Sequence, residues 1–209
     1  MQLQKFGHCC LLASQGDARL LVDPGCCSDG AEQVTGLTGV LITHIHDDHL
    51  DIGKLREVLS RNPGAEVASD AASAAALREN GIAARAVHGG DDLDAGLPVR
   101  VYGHEHALIH PDLPAVPNVG YLIADRLFCA GDAFTIPDRP VEVLAVPVGA
   151  PWMKMSEAVD WLRVLRPRVA VPVDDYDYVL AEATYHVLDR LSPPGTTVMA
   201  LSAGLTVGL

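Results

Sequence analysis

Four side chains able to ligate a metal, His44, His46, Asp48 and His49, lie within six residues, directly after the apolar run Gly39-Val40-Leu41-Ile42-Thr43. That juxtaposition limits the possible folds more than any other feature of the chain. The run shows no polar alternation, so it reads as a strand buried on both faces. Such a strand needs a covering layer on each side, and the groups that follow it sit at its carboxyl end, where sheet proteins place their sites. If the backbone stays extended past Thr43, His44 and His46 project to one side, because strand side chains repeat every two residues. A turn after His46 then turns Asp48 and His49 toward a second position. Imidazole suits zinc, and carboxylate suits zinc, manganese or iron. Burying so many of these groups without a cation would carry a large desolvation cost.

The remaining chain alternates strand and helix. Strands are expected over Cys9 to Ala13 and Arg19 to Val22, joined by a turn at Gly16-Asp17 and stopped by Asp23-Pro24-Gly25. Helices are expected over Leu50 to Ser60, closed by Asn62-Pro63-Gly64, and over Ala71 to Glu79, closed by Asn80-Gly81. Further strands are expected over Pro98 to Tyr102, Gly120 to Ala124, Leu127 to Ala130, Val143 to Val146 and Val169 to Val173. Ser156 to Leu165 reads as a helix whose capping box is incomplete, because Val159 stands where the acidic partner belongs. Tyr178 to Leu191 reads as a helix, and Thr197 to Leu201 with Leu205 to Val207 as a closing hairpin. No linker or low-complexity tract interrupts this order, so residues 1–209 are expected to form one α+β domain. The two halves resemble each other, which suits two sheets packed face to face with helices outside.

A formal net charge of −12, with the 15 Lys and Arg scattered, argues against a nucleic-acid partner. No run of 18 apolar residues exists, so no membrane partner is expected. The amino terminus lacks the charged and apolar regions of a secretion signal, and the five cysteines show no zinc-finger spacing. A cytoplasmic protein with reduced thiols follows, each cysteine serving as a small buried hydrophobe.

His44-x-His46-x-Asp48-His49 resembles the HxHxDH signature of the metallo-β-lactamase superfamily. Phe6-Gly7-His8 and Asp23-Pro24-Gly25 look like the FGH and DPG elements of its lactonase-like branch, typified by ascorbate-6-phosphate lactonases. Ala130-Gly131-Asp132 resembles the strand-ending GD element. The resemblance implies a four-layer αββα sandwich with metal at one edge between the sheets. It implies that His44, His46 and a later histidine form a first metal position, that Asp48 and His49 serve a second, and that Asp132 lies between. Candidates for the later histidine are His104, His106 and His110, of which His106, in Gly103-x-x-His106-Ala107, best matches the family turn. His110, before Pro111, reads as structural or substrate-facing.

One departure from the family stands out. Its final histidine, expected after Val169 to Val173, is replaced by Asp174-Asp175-Tyr176-Asp177-Tyr178, and the next histidine, His186, falls mid-helix as a surface or packing residue. Either Asp174 supplies a carboxylate in its place, or the second position is weak and one ion suffices. The implied cofactor is zinc, one or two ions, with manganese or iron also compatible. The implied chemistry is hydrolysis of a small ester, lactone or phosphodiester, with Asp132 orienting the nucleophile and Asp48 shuttling its proton. Asp23 and His8 are candidates for supporting the ligands from behind. Lys154 is either a cation for an anionic substrate or a solvated residue at a helix start. Two other readings remain open, a metal-binding relative without activity and a redox protein at iron. A small-molecule substrate is expected, and a symmetric homodimer is the default association.

Overall fold

The computed structural model describes residues 1–176 and 181–209. Its strands are β1 (Gln2–Lys5), β2 (Leu11–Gln15), β3 (Ala18–Val22), β4 (Gly39–Ile42), β5 (Glu66–Ser69), β6 (Arg85–Ala86), β7 (Asp92–Asp94), β8 (Pro98–Tyr102), β9 (Gly120–Ile123), β10 (Leu127–Cys129), β11 (Val143–Pro147), β12 (Val169–Val173), β13 (Thr197–Val198) and β14 (Thr206–Gly208). The helices are α1 (Ile52–Arg61), α2 (Ala71–Glu79), α3 (Met155–Leu165) and α4, described over Ala181–Leu191. The part of the last expected helix at 178–180 lies outside the described residues.

The strands form two seven-stranded sheets, ordered β14-β1-β2-β3-β4-β5-β6 and β13-β12-β11-β10-β9-β8-β7. In the first, β14 to β3 pair antiparallel and β3 to β6 parallel. The second repeats this, antiparallel from β7 to β10 and parallel from β10 to β13. The likeness of the two halves is thus a repeated sheet topology.

Strand periodicity explains the layers. In β3, Leu20 and Val22 face the space between the sheets while Leu21 faces outward; in β4, Leu41 faces in while Val40 and Ile42 face out. In β11, Val143 and Ala145 face in and Leu144 and Val146 out. Leu55 and Val58 of α1 and Leu77 of α2 cover the outer face of the first sheet. Ala158, Val159, Trp161 and Leu162 of α3, with Leu188 of α4, cover the second. The result is the expected helix–sheet–sheet–helix sandwich. Tyr121, fully buried between the sheets, donates its hydroxyl to the Ile42 carbonyl at 2.8 Å, so the polar atom carried into the core is satisfied.

Helix boundaries follow local capping. Asp51 caps α1 by accepting the Lys54 N–H at 2.9 Å, and Asp70 caps α2 through the N–H groups of Ala72 and Ser73. Helix α3 begins one residue before the expected Ser156, and its box is made by Glu157, which accepts the Lys154 N–H at 2.7 Å. Lys154 is therefore an exposed helix-start residue.

Other expectations need correction. The closing hairpin does not exist: β13 joins β12 in the second sheet and β14 joins β1 in the first. The two segments are alike in composition, but each completes the edge of a different sheet. The strand expected from Cys9 runs instead over Leu11–Gln15, because Phe6 to Cys10 forms a tight turn in which the Cys10 N–H donates to the Gly7 carbonyl. Strands β1, β5, β6 and β7 were not expected; β5 to β7 are short and lie at or near sheet edges. Cys9, Cys10 and Cys129 are buried as expected, but Cys26 is exposed and Cys27 partly so, and none of the five forms a disulfide. Among the described residues no helix is long and apolar enough to cross a membrane.

Candidate metal centre

The site collects at one edge of the sandwich from loops that leave the ends of several strands. Asp23 follows β3, the His44 to His49 segment follows β4, Asp132 follows β10 and Asp174 follows β12. His8 comes from the β1–β2 turn and His106 from the segment between β8 and β9. Close backbone packing holds two of these loops together. A Cβ on Gly25 would stand 1.8 Å from the Asp48 carbonyl oxygen, and one on Gly131 would stand 2.2 Å from Asn118 Oδ1. These contacts are the physical reason for the glycines after Asp23-Pro24 and before Asp132.

The segment after β4 behaves as its spacing requires. The His44 and His46 rings lie on one side with centroids 4.7 Å apart, and a turn closes behind them, the N–H groups of His49 and Leu50 both donating to the His46 carbonyl. His44 Nε2 faces His46 Nδ1 at 3.0 Å. His106 joins them, its ring centroid 5.0 Å from that of His44 and 4.9 Å from that of His46. Its Nδ1 donates to the Ala107 carbonyl at 2.5 Å, which leaves Nε2 facing Asp132 Oδ2 at 3.2 Å. His44, His46, His106 and Asp132 each present one ligand atom, all within 4.8 Å of one another. Of the three candidate histidines, His104 and His110 remain exposed and only His106 is brought to the cluster. His186 is also exposed on α4.

A second set lies beside the first. His8, Cys9, His49 and Asp174 also present ligand atoms within 4.8 Å of one another. Asp132 spans the two sets, Oδ2 toward His106 and Oδ1 toward His49 Nε2 at 3.1 Å. Asp48 Oδ2 lies 3.9 Å from the same His49 nitrogen and 3.1 Å from His8 Nε2. Asp174, at the place where the family's final histidine is expected, is buried with Oδ1 4.0 Å from His49 Nε2. Its neighbour Asp175 pairs with the buried Lys5 and with the Tyr185 hydroxyl, which anchors the segment after β12.

A layer of fixed hydrogen bonds sets the imidazoles. Asp23 accepts the Thr43 N–H at 2.7 Å, the Thr43 hydroxyl at 2.8 Å and His49 Nδ1–H at 2.9 Å. This places one proton of His49 on Nδ1 and turns Nε2 toward Asp132. In the metal-free fold burial is outweighed by the surrounding anionic groups, Asp132 and Asp23 among them, which hold the imidazole well above its usual range. Asn118, fully buried, donates to the Ala130 carbonyl and accepts the Asp132 N–H at 3.1 Å. Trp152 Nε1–H donates to Asp132 Oδ2 at 2.6 Å. Neither Asn118 nor Trp152 was singled out in the sequence, where only their positions next to expected strands gave a hint. His8, Asp23 and Asp174 all adopt positive φ, of 32°, 48° and 56°. Strained non-glycine residues clustered at one place mark a site whose surroundings hold them there.

Electrostatics show what the arrangement accepts. Burial, reinforced by the Asp132 charge, pushes the Asp174 carboxyl up to about 7. Burial opposes charge on Asp48 too, but the His8 hydrogen bond and the His49 charge outweigh it and hold that carboxyl at about 2. Burial and the neighbouring His49 hold His44 well below the usual imidazole range. Four buried side-chain N or O atoms among the described residues lack a hydrogen-bond partner, and three are here: His49 Nε2, Asp132 Oδ1 and Asp174 Oδ1. Orphaned donors and acceptors are costly. A divalent cation satisfies all three, so these residues fit a metal.

The cleft over this centre has a volume of about 340 Å³ and is lined by His46, His106 and Asp132 of the first set, His8 and Asp174 of the second, and Asp48, together with Ile109, Gly149, Ala150, Pro151 and Trp152. Comparisons with known proteins agree with the fold. Residues 2–174 match the model of the beta-lactamase superfamily domain. Protein Rv0786c of Mycobacterium tuberculosis is 51% identical over 179 residues, covering 83% of each chain. A UPF0173 metal-dependent hydrolase of Aeropyrum pernix is 29% identical over 202 residues, covering 82% of this chain and 81% of its own. Igni18, a metallo hydrolase from the archaeon Ignicoccus hospitalis, superposes with a TM-score of 0.73 at 20% identity over 100% of this chain and 98% of its own, a likeness of fold. UPF0173 metal-dependent hydrolases are thus among its relatives, and the chain belongs to the metallo-β-lactamase superfamily.

Proposed function

We propose that this protein hydrolyses a small, uncharged carboxylic ester or lactone, with His44, His46, His106 and Asp132 holding one cation and Asp48, His49, Asp132 and Asp174 serving a second. The observation that carries the reading is the pair of ligand sets, each with its ligand atoms within 4.8 Å of one another, in which three buried atoms, Asp132 Oδ1 of the first and His49 Nε2 and Asp174 Oδ1 of the second, are left without an ordinary hydrogen-bond partner. The chemistry that a divalent cation would supply there, held by these residues, is activation of water near neutral pH and polarisation of a carbonyl oxygen. The chain's own residues do the rest. Trp152 fixes Asp132 through its indole N–H, so the carboxylate faces both clusters in one orientation. Asp48, half-exposed at the cleft, is placed to take a proton from the attacking water and pass it to the leaving oxygen. Asp23 keeps His49 in the tautomer that a ligand needs.

Substrate class is argued from the lining. No Lys or Arg lies among the described residues that line the cleft, which counts against the phosphodiester and the phosphorylated lactone and leaves the neutral ester or lactone. His106 and Ile109 also line an adjoining cavity of about 280 Å³ formed by residues 105–110 and 113–116, where Leu108, Ile109 and Leu113 are exposed. An apolar portion of the substrate fits that annex while its carbonyl lies over the histidines. Zinc is the cation proposed; we also propose that residues 1–209 act as one domain in the cytoplasm, with no partner but a second copy of the chain. The test is hydrolysis of matched neutral and phosphorylated lactones by wild type and His46→Ala. The reading requires turnover of the neutral compound by wild type and its loss in the variant; equal activity in both would refute it.

A second reading, oxygen chemistry at iron, is favoured by the three carboxylates Asp48, Asp132 and Asp174, which suit harder cations. An oxygen-dependent absorption spectrum of the iron-loaded protein, without ester hydrolysis, would select it.

A further inference from the structure

We propose that His8 is a ligand of the second metal position, standing in from the amino-terminal turn for the imidazole that the segment after β12 does not supply. The inference rests on the metal-hydrolase reading above. His8 Nε2 lies 3.1 Å from Asp48 Oδ2 and 3.8 Å from Asp174 Oδ1. His49 Nε2 lies 3.9 and 4.0 Å from those same two oxygens. The two imidazoles therefore flank one pair of carboxylate oxygens, Asp132 Oδ1 lies 3.1 Å from His49 Nε2, and His8, His49 and Asp174 present ligand atoms within 4.8 Å of one another. The rings meet edge to face, with centroids 6.1 Å apart.

Position and backbone support the assignment. His8 is buried and follows a glycine at which a Cβ would stand 2.5 Å from the Cys27 carbonyl oxygen. Its own φ is +32°, a conformation that costs energy for a residue with a Cβ. An ordinary packed histidine gives no reason to keep that strain, whereas aiming an imidazole at Asp174 does. Cys9 also belongs to this group, but its thiol donates to the Asp48 carbonyl at 3.2 Å. We assign it to the wall rather than to the ion. His8 Nδ1 accepts the Tyr176 N–H at 3.4 Å, a long bond. Ligation through Nε2 moves the ring proton to Nδ1, so metal loading must release this contact.

The test is metal stoichiometry and affinity for zinc, measured by elemental analysis and chelator competition, on wild type, His8→Asn, Cys9→Ser and His46→Ala. Asparagine is chosen because it tolerates positive φ. Wild type should bind two ions. His8→Asn should keep the first and bind the second at least tenfold more weakly, while Cys9→Ser should keep both. Two ions at wild-type affinity in His8→Asn, or a single ion in wild type, overturns the inference. A wild type that binds no metal instead sinks the functional reading beneath it. Should His8→Asn fail to fold, an anomalous-scattering map of zinc-loaded wild type decides: the second ion must lie about 2.0–2.1 Å from His8 Nε2, and an ion without that bond refutes the assignment.

Discussion

Replacing Asp23 by Asn probes the site from behind without touching any proposed ligand. Asp23 is 2% exposed and accepts three hydrogen bonds, from the Thr43 N–H, the Thr43 hydroxyl and His49 Nδ1–H. Asparagine fills the same space and tolerates the φ of +48°, so backbone strain does not change. What changes is the sign of the atom at Oδ2, which meets both the Thr43 hydroxyl and His49 Nδ1. An amide NH₂ facing His49 donates to Nδ1, which moves the imidazole proton to Nε2, the atom aimed at Asp132. Outer partners of this kind are worth about 10–100-fold in metal affinity, or about 1.4–2.8 kcal/mol. Loss of a charged acceptor also costs stability, roughly 1.5–3 kcal/mol, which corresponds to a melting temperature lower by about 3–12 °C for a chain of this size. Chelator competition measures the first effect and thermal unfolding of the metal-free protein the second. Metal affinity within twofold of wild type would refute the claim that Asp23 sets the His49 tautomer.

Three further predictions rest on single contacts. Trp152→Phe keeps the aromatic packing against Phe134 but removes the donor to Asp132 Oδ2, and is expected to lower kcat about tenfold with metal content unchanged; steady-state kinetics with elemental analysis checks both. Gly131→Ala places a Cβ 2.2 Å from Asn118 Oδ1 at φ +63°, and should destabilise by more than about 3 kcal/mol in denaturant titration. Asp174, pushed up to about 7, is neutral in the metal-free fold below that pH, so its burial favours folding at low pH and that contribution is lost as pH rises through 7. Binding a cation at pH 6 must then release a proton from it, in addition to those of the ligating imidazoles that their neighbours hold above the usual range, and calorimetry in buffers of different ionisation enthalpy should find fewer protons released by Asp174→Asn than by wild type.

Much of this was legible in the sequence because the signals are local. The run Gly39 to Thr43 is apolar at every position that faces either layer, and the alternate residues of the following segment put His44 and His46 together without help from the rest of the chain. His106 was distinguishable from His104 only through the spacing of its turn, which the structure explains by burial of one and exposure of the other. Contacts that depend on tertiary closure left little local trace. Trp152 reaches Asp132 across 20 residues, and His8 approaches Asp174 across 166 positions of chain, distances over which neither spacing nor periodicity speaks. The two terminal strands were misread for the same reason: Thr197–Val198 and Thr206–Gly208 are short and similar, and only the sheet edges they complete tell them apart.

The central claim is that the histidines and carboxylates at this edge are held apart by design for a cation. Elemental analysis of purified wild type and His46→Ala, after each is offered zinc, manganese and iron, tests it most directly. The account predicts tightly held metal in wild type and loss of the ion nearest His44 and His106 in the variant. A wild-type protein that remains folded and metal-free under all three conditions would contradict it.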